Sequence, residues 1–275
     1  MKWAGVPLLL TLSVTLFAQT PVYRAPRTPD GKPDLNGIWQ ALNEANYDIE
    51  MHSARPAMAT RPGPYGPVPA VPLLRLGAVG AVPPGMGVVE GGPLPYRPEA
   101  LMKRNENQEK WLDLDPEIKC YLPGIPRATY MPYPFQILQT ASSIFIAYEY
   151  AGAVRNFYLK DPGPAPIDSW MGQSVAHWEG DTLVVVTKNF NGYTKLDTNG
   201  HPHSNQMVLT EKFTLTDAGH LNYEVTVEDP KIYTKPWTNK RVFTLRTDWQ
   251  IQEYSCEENN RGLVEGRIKV PDFTK

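Results

Sequence analysis

The sequence predicts a mainly β protein: an antiparallel up-and-down β-barrel of lipocalin-like plan, with a long Pro/Gly-rich N-terminal segment and one short helix. Three observations lead there. The 275 residues include 28 Pro and 21 Gly, and Pro inside a helix removes a donor and clashes with the preceding turn, so a mostly helical fold is excluded. After Cys120, about nine short runs of strand-forming residues follow one another at hairpin spacing. Closing such strands into a ring leaves no edge open to pairing with another chain.

The elements follow in order. Lys2 precedes an apolar run, Trp3 to Ala18, that is free of charge and shorter than the ~20 residues a bilayer span needs. Residues 1–18 therefore read as a cleaved secretory signal, which places the protein in a secreted or periplasmic setting with no stable membrane insertion. Residues 19–97 read as an N-terminal wrap. From Pro21 to Pro98 the chain holds 15 Pro and 10 Gly in 78 residues, and stretches such as Arg61 to Pro67 and Val82 to Gly87 show neither helical nor strand period. Within the wrap, Thr28 to Gly37 carries turn residues before an apolar Ile38-Trp39 pair suited to plug into a folded body. Residues 98–114 lack Gly and Pro after Pro98 and read as one short helix.

Residues 98–275 are expected to form the barrel domain. Its expected strands are Gln136–Thr140, Ser143–Tyr150, Val154–Leu159, Ser174–Trp178, Thr182–Phe190, Gln206–Thr216, Leu221–Val227, Val242–Thr247 and Trp249–Cys256. Glu179-Gly180-Asp181 and Asp217-Ala218-Gly219-His220 are hairpin connections, and Asn191 to Asn205 is a longer loop with two Asn-Gly turns.

In a barrel, alternate residues face the interior. Met207, Leu209, Glu211, Phe213 and Leu215 then place one carboxylate in an apolar face, with the polar set Gln206 to Thr214 outside. Trp249, Ile251 and Glu253, and less cleanly Phe145, Ala147 and Glu149, repeat the theme. A carboxylate buried without a donor is costly, so Arg155, Arg127 or Arg246 is expected beside it. Such a group anchors a ligand, acts as an acid or base, or belongs to a buried ion pair that only fixes strand register.

Two cysteines in an oxidising compartment favour a disulfide between Cys120 and Cys256. Of the five histidines, His201-Pro202-His203 has the i, i+2 spacing of a pair on one side of an extended segment, yet no third His or Cys is near in sequence, so no metal is expected. His203 beside Ser204 is a candidate general base at the barrel mouth. Lys and Arg total 27 against 29 Asp and Glu, which gives no electrostatic reason for a nucleic-acid partner. P-loop, dinucleotide-binding, Gly-x-Ser-x-Gly, His-Glu-x-x-His and EF-hand signatures are all missing from the sequence.

Several segments together resemble a family of exported soil-bacterial proteins without a settled activity. They include Pro33-Asp34-Leu35-Asn36-Gly37-Ile38-Trp39, Pro123-Gly124-Ile125-Pro126-Arg127, His177-Trp178-Glu179-Gly180-Asp181-Thr182-Leu183-Val184-Val185, His203-Ser204 with Glu211-Lys212-Phe213, and Tyr254-Ser255-Cys256-Glu257. Val186 stands where the family pattern carries Asp. The resemblance implies export and brings no reaction with it. The leading expectation is a binder of a small, partly hydrophobic or aromatic ligand in the barrel. Glu149, Arg155, Glu211 and Arg127 would be its polar anchors, Trp178 and Tyr148 its ring contacts, and no cofactor is expected. The alternatives are a cofactor-independent hydrolase or lyase using Glu211 or His203 as acid/base, and an interaction protein presenting the Pro-rich segment.

Overall fold

The computed structural model describes residues 23–56, 60–69 and 81–256, together with Met1 and Arg267. The expected signal segment, apart from Met1, lies outside the described residues, as do parts of the Pro/Gly-rich insertion.

Nine strands close into a barrel. They are β1 (Gly37–Ala41), β6 (Phe135–Gln139), β7 (Ser143–Tyr148), β8 (Val154–Tyr158), β9 (Gln173–Glu179), β10 (Thr182–Lys188), β11 (Val208–Leu215), β12 (His220–Glu228) and β13 (Trp237–Leu245). The remaining strands form two small ribbons in the N-terminal segment: β2 (Arg55–Pro56) with β5 (Ala81–Val82), and β3 (Thr60–Gly63) with β4 (Gly66–Pro69). The order around the barrel is β1-β13-β12-β11-β10-β9-β8-β7-β6, closing back on β1. A ring of alternating strands can be antiparallel throughout only if their number is even. With nine, one pair must run parallel, and it is β8–β9, where Phe157 pairs with Ser174 across a crossover of residues 159–172. The expected barrel is thus present, with one parallel seam.

Two expected strands differ. Trp249–Cys256 is not a strand, because Glu149 Oε2 draws it along the outside by accepting from Trp249 Nε1 and Gln252 N, each at 2.9 Å. The last barrel strand instead begins at Trp237, five residues before the expected Val242. The ninth strand comes from the N-terminal wrap: β1 fills the gap between β13 and β6, with Trp39 opposite Leu245 and Phe135. Trp39 is almost completely buried and donates its indole N–H to Leu35 O at 3.0 Å. The upper part of β13, beyond the reach of β1, is covered by residues 88–90, with Glu90 N donating to Thr238 O and Lys240 N to Val88 O.

The expected helix divides into α1 (Pro98–Glu109) and α2 (Trp111–Leu114), because Lys110 leaves helical geometry at φ −107°, ψ 33°. Cys120 and Cys256 form the disulfide, with Cα atoms 5.5 Å apart. Among the described residues no helix is long and apolar enough to cross a membrane.

Candidate functional site at the barrel mouth

The alternation that predicted Glu211 to face inward holds, since β11 buries Leu209, Glu211 and Phe213. Glu211 is enclosed by its partners. Its Oε1 accepts from Arg155 Nη1 at 2.9 Å and from the Tyr223 hydroxyl at 2.7 Å. Its Oε2 accepts from Arg155 Nη2 and, at 3.1 Å, from Thr187 Oγ1. Arg155 Nε donates to Ser174 Oγ at 2.8 Å. Glu211, Leu183, Val185, Leu209, Phe213, Val225 and Phe243 have no accessible surface, so no void as large as a water abuts them. The middle of the lumen is packed core held by an ion pair.

The other expected anchors scatter. Tyr148 is buried in the lumen, and that burial pushes its hydroxyl up to about 12. Trp178 pairs with Leu183, next to the Glu179-Gly180-Asp181 turn. Glu149 lies beyond β7 and holds the C-terminal segment, because the buried face of β7 is Ile144, Ile146 and Tyr148 and not Phe145 and Ala147. Arg127 sits above the barrel, donating to both oxygens of Asp115 at 2.8 and 2.9 Å and to Asn46 and Thr198. His203 is buried with Nδ1–H donating to Ser204 O at 3.0 Å, which leaves Nε2 to accept from the Thr194 hydroxyl. Burial pushes this imidazole down to about 4, so it is neutral at pH 7.

A different group converges at the end of the barrel where β1, β7, β10 and β12 finish. The chain leaving β1 makes a turn in which Tyr47 N and Asp48 N donate to Glu44 O. It then runs beside the β10–β11 loop, with Thr198 N donating to Asn46 O and Asn199 N to Tyr47 O, both at 2.9 Å. This short ladder brings Asp48 and Glu50 against His201, about 150 residues away in sequence. His201 has no accessible surface and donates Nδ1–H to Asp197 Oδ2 at 2.6 Å. That carboxylate is itself fixed by Ile49 N at 2.8 Å and His201 N at 3.2 Å. The imidazole therefore presents Nε2 to Glu50 Oε2 at 3.2 Å and to Asp48 Oδ1 at 3.8 Å. Leu94 N holds the other Glu50 oxygen at 2.8 Å, Asn199 Nδ2 holds Asp48, and the Tyr96 ring stacks over His201 at 6.2 Å.

Two members of this partly dry site, Asp48 and His201, are shifted by burial and by their neighbours. Burial and the neighbouring Asp197 push Asp48 up to about 7. Burial alone would lower His201, but the charge and hydrogen bond of Asp197, with Asp48 behind them, hold it above its ordinary value. The cluster carries excess negative charge that a proton or a cation relieves. One ligand atom each from Asp48, Glu50 and His201 lies within 4.8 Å of the others. Bonds of ~2.1 Å allow ligand atoms to lie up to roughly 4.2 Å apart, so the group needs only a small closure to share one ion. A carboxylate on the far imidazole nitrogen is the arrangement that orients histidine ligands in metal sites.

The sequence reading noted the His201-Pro202-His203 spacing, expected no metal there, and missed the carboxylates that meet His201. Asp48 and Glu50 lie in the stretch read as wrap, and Asp197 lies in a loop read only for its turns. The one available signal was the His-Pro-His spacing. No protein-family model, curated protein or solved structure matches this chain.

Proposed function

We propose that this is an exported protein that binds a divalent transition-metal ion at the barrel mouth, through His201 Nε2, Asp48 and Glu50. The observation that carries the reading is the fully buried imidazole fixed at Nδ1 by Asp197, with two carboxylate oxygens converging on its other nitrogen. One nitrogen and two oxygen donors suit an ion such as Zn²⁺ or Mn²⁺ better than the all-oxygen shells of Ca²⁺ or Mg²⁺. Glu50 is the partly exposed member, its side chain 26% accessible, and gives the site its open side. The disulfide and the resemblance to exported proteins support a secreted or periplasmic setting. Ligand recognition, expected in the middle of the lumen, thereby moves to its end.

Titration calorimetry with Zn²⁺ and Mn²⁺ tests the proposal. The wild-type chain should take up one ion per molecule, and Asp48→Asn with Glu50→Gln should weaken binding at least tenfold while the protein stays folded. Equal affinity in wild type and double variant, or no uptake by wild type, overturns it.

A further inference from the structure

The parallel seam leaves a cleft on the outside of the barrel. β8 and β9 are in register only at Phe157–Ser174 and Tyr158–Val175, and parallel strands need a crossover, here residues 159–172, before the second can begin. An open cleft of about 420 Å³ lies between the start of β8, that crossover and the start of β9. Its floor is the outward face of β8: Arg155 and Phe157 turn inward, so alternation sends Val154, Asn156 and Tyr158 out. Gln173 stands beside Asn156 across the seam, one step before the Phe157–Ser174 pair. Ala165, Pro166 and Ile167 of the crossover form a second wall, and Trp170 a third.

The wall that carries Trp170 is fixed in advance. Ser169 N donates to Asn189 O and Asn191 N to Ser169 O, both at 2.9 Å. Gly172, at φ +67°, passes so close to β10 that a Cβ there would lie 2.7 Å from Lys188 O. Tyr121 stacks on the Trp170 ring at 5.1 Å and Tyr193 leans on it at 5.9 Å. An indole already held in place loses little freedom when something packs on it. The chemistry of the cleft is mixed but uncharged. Val154, Tyr158 and Ile167 are all exposed around it, a contiguous apolar surface of the kind that marks binding sites. The side-chain amides of Asn156 and Gln173 make no hydrogen bond among the described residues. The one ionised residue lining it, Arg155, directs its guanidinium inward to Glu211, which neutralises it.

We propose that this cleft binds a compact, uncharged aromatic compound that carries an amide or hydroxyl group. Its ring packs on Trp170 and the aliphatic walls, and its polar edge pairs with the amides of Asn156 and Gln173, each of which can both donate and accept. Mostly apolar walls with a few placed polar groups, in a cavity of this size, are the usual make-up of a small-molecule site. A carboxylate or ammonium would meet no free counter-charge there and would lose hydration without return. The site is separate from the cation cluster, since it lies on the outer face of the seam and uses none of Asp48, Glu50 or His201.

Benzamide is the probe, against benzoate, cyclohexanecarboxamide and methyl glucoside, read by ¹H–¹⁵N spectra. The Trp170 indole resonance is identified by its loss in Trp170→Phe, and the side-chain amide resonances of Asn156 and Gln173 by their loss in Asn156→Ala and Gln173→Ala. Benzamide should move all three saturably in wild type, and the other compounds should bind at least fivefold more weakly: benzoate for its charge, cyclohexanecarboxamide for its lack of a flat ring, the glucoside for both its shape and its polar rim. Trp170→Ala should weaken the benzamide response at least tenfold. Should that variant fail to fold, Ile167→Asp, at a position three-quarters exposed, must still weaken it at least fivefold. The double variant Asp48→Asn/Glu50→Gln should keep the full response, which separates this site from the metal reading. No saturable shift in wild type, equal affinity for benzoate, the cyclohexane compound or the glucoside, an undiminished response in Trp170→Ala or Ile167→Asp, or a response lost in the double variant overturns the proposal.

Discussion

At the scale of single residues, Glu211 and Arg155 show what alternation can and cannot reveal. Period-two patterning tells which way a strand residue points, and Glu211 points inward as expected. It does not tell whether the space ahead is open. Here Arg155, Thr187 and Tyr223 meet every lone pair direction of the carboxylate, and the apolar neighbours close around them. Breaking such a pair leaves an uncompensated buried charge, which costs about 3–5 kcal/mol, whereas replacing both members by apolar groups is often neutral. Glu211→Gln alone is therefore expected to lower unfolding free energy by that amount in urea titrations, and Arg155→Met with Glu211→Leu to recover most of it. A single variant as stable as wild type would show that the pair is not a structural element of the core. Arg241 teaches the converse lesson. Nothing in the run Trp237-Thr238-Asn239-Lys240-Arg241 says that Arg241 would be buried with no carboxylate paired to it among the described residues, since pairing depends on what the other strands supply.

At the scale of elements, the hairpins were legible because their signals are local: a turn such as Glu179-Gly180-Asp181 and the alternation beside it lie within a dozen residues. β1 and the start of β13 were not. β1 is five residues long and joins the barrel by pairing with strands about 100 and 200 positions away. The mouth cluster has the same origin, because Asp48 and Glu50 reach His201 only through the ladder between residues 46–47 and 198–199. The loop carrying Asp197 and His201 is shaped by Gly200, whose φ is +87°. A Cβ there would lie 2.6 Å from Asn107 Cβ and 2.8 Å from Gln108 N of α1. Asn107 Nδ2 in turn donates to Gly200 O at 2.9 Å, so the helix and loop dock through this residue. Gly200→Ala thus combines a disfavoured backbone angle with a backbone clash and should destabilise by roughly 1–3 kcal/mol. Amide exchange should accelerate in α1 and in residues 195–203 more than in β11 and β12. Uniform exchange rates across the chain would place the cost elsewhere.

At the scale of the whole molecule, the described residues of the wrap pair with the barrel, and those on its N- and C-terminal sides are held by different means. The N-terminal side contributes a strand and the Arg27–Asp181 ion pair at 2.7 Å. That exposed pair adds little, since water and salt screen surface ion pairs and ordering two side chains offsets the gain. The C-terminal side has left the sheet after β13, and residues 249–256 are held by Glu149 and by the Cys120–Cys256 bond. Those cysteines are 136 residues apart, and their loop takes in eight of the nine barrel strands, all but β1. Closing so long a loop in the unfolded chain removes conformational entropy worth roughly 4–5 kcal/mol on the chain-entropy account, an upper figure because reduced chains keep some compactness. Cys120→Ala with Cys256→Ala should therefore lower the urea midpoint markedly. It should also steepen the transition, because an uncrosslinked chain exposes more surface on unfolding. The barrel itself should survive, since no strand pairing depends on the bond. Metal uptake at His201 should be unchanged in the same variant, as the cluster's contacts to residues 46–50, 94 and 197–201 lie away from the bridge. A loss of stability without any change in steepness would point to native contacts of Cys256, buried with Met131 and Tyr150, rather than to the unfolded chain.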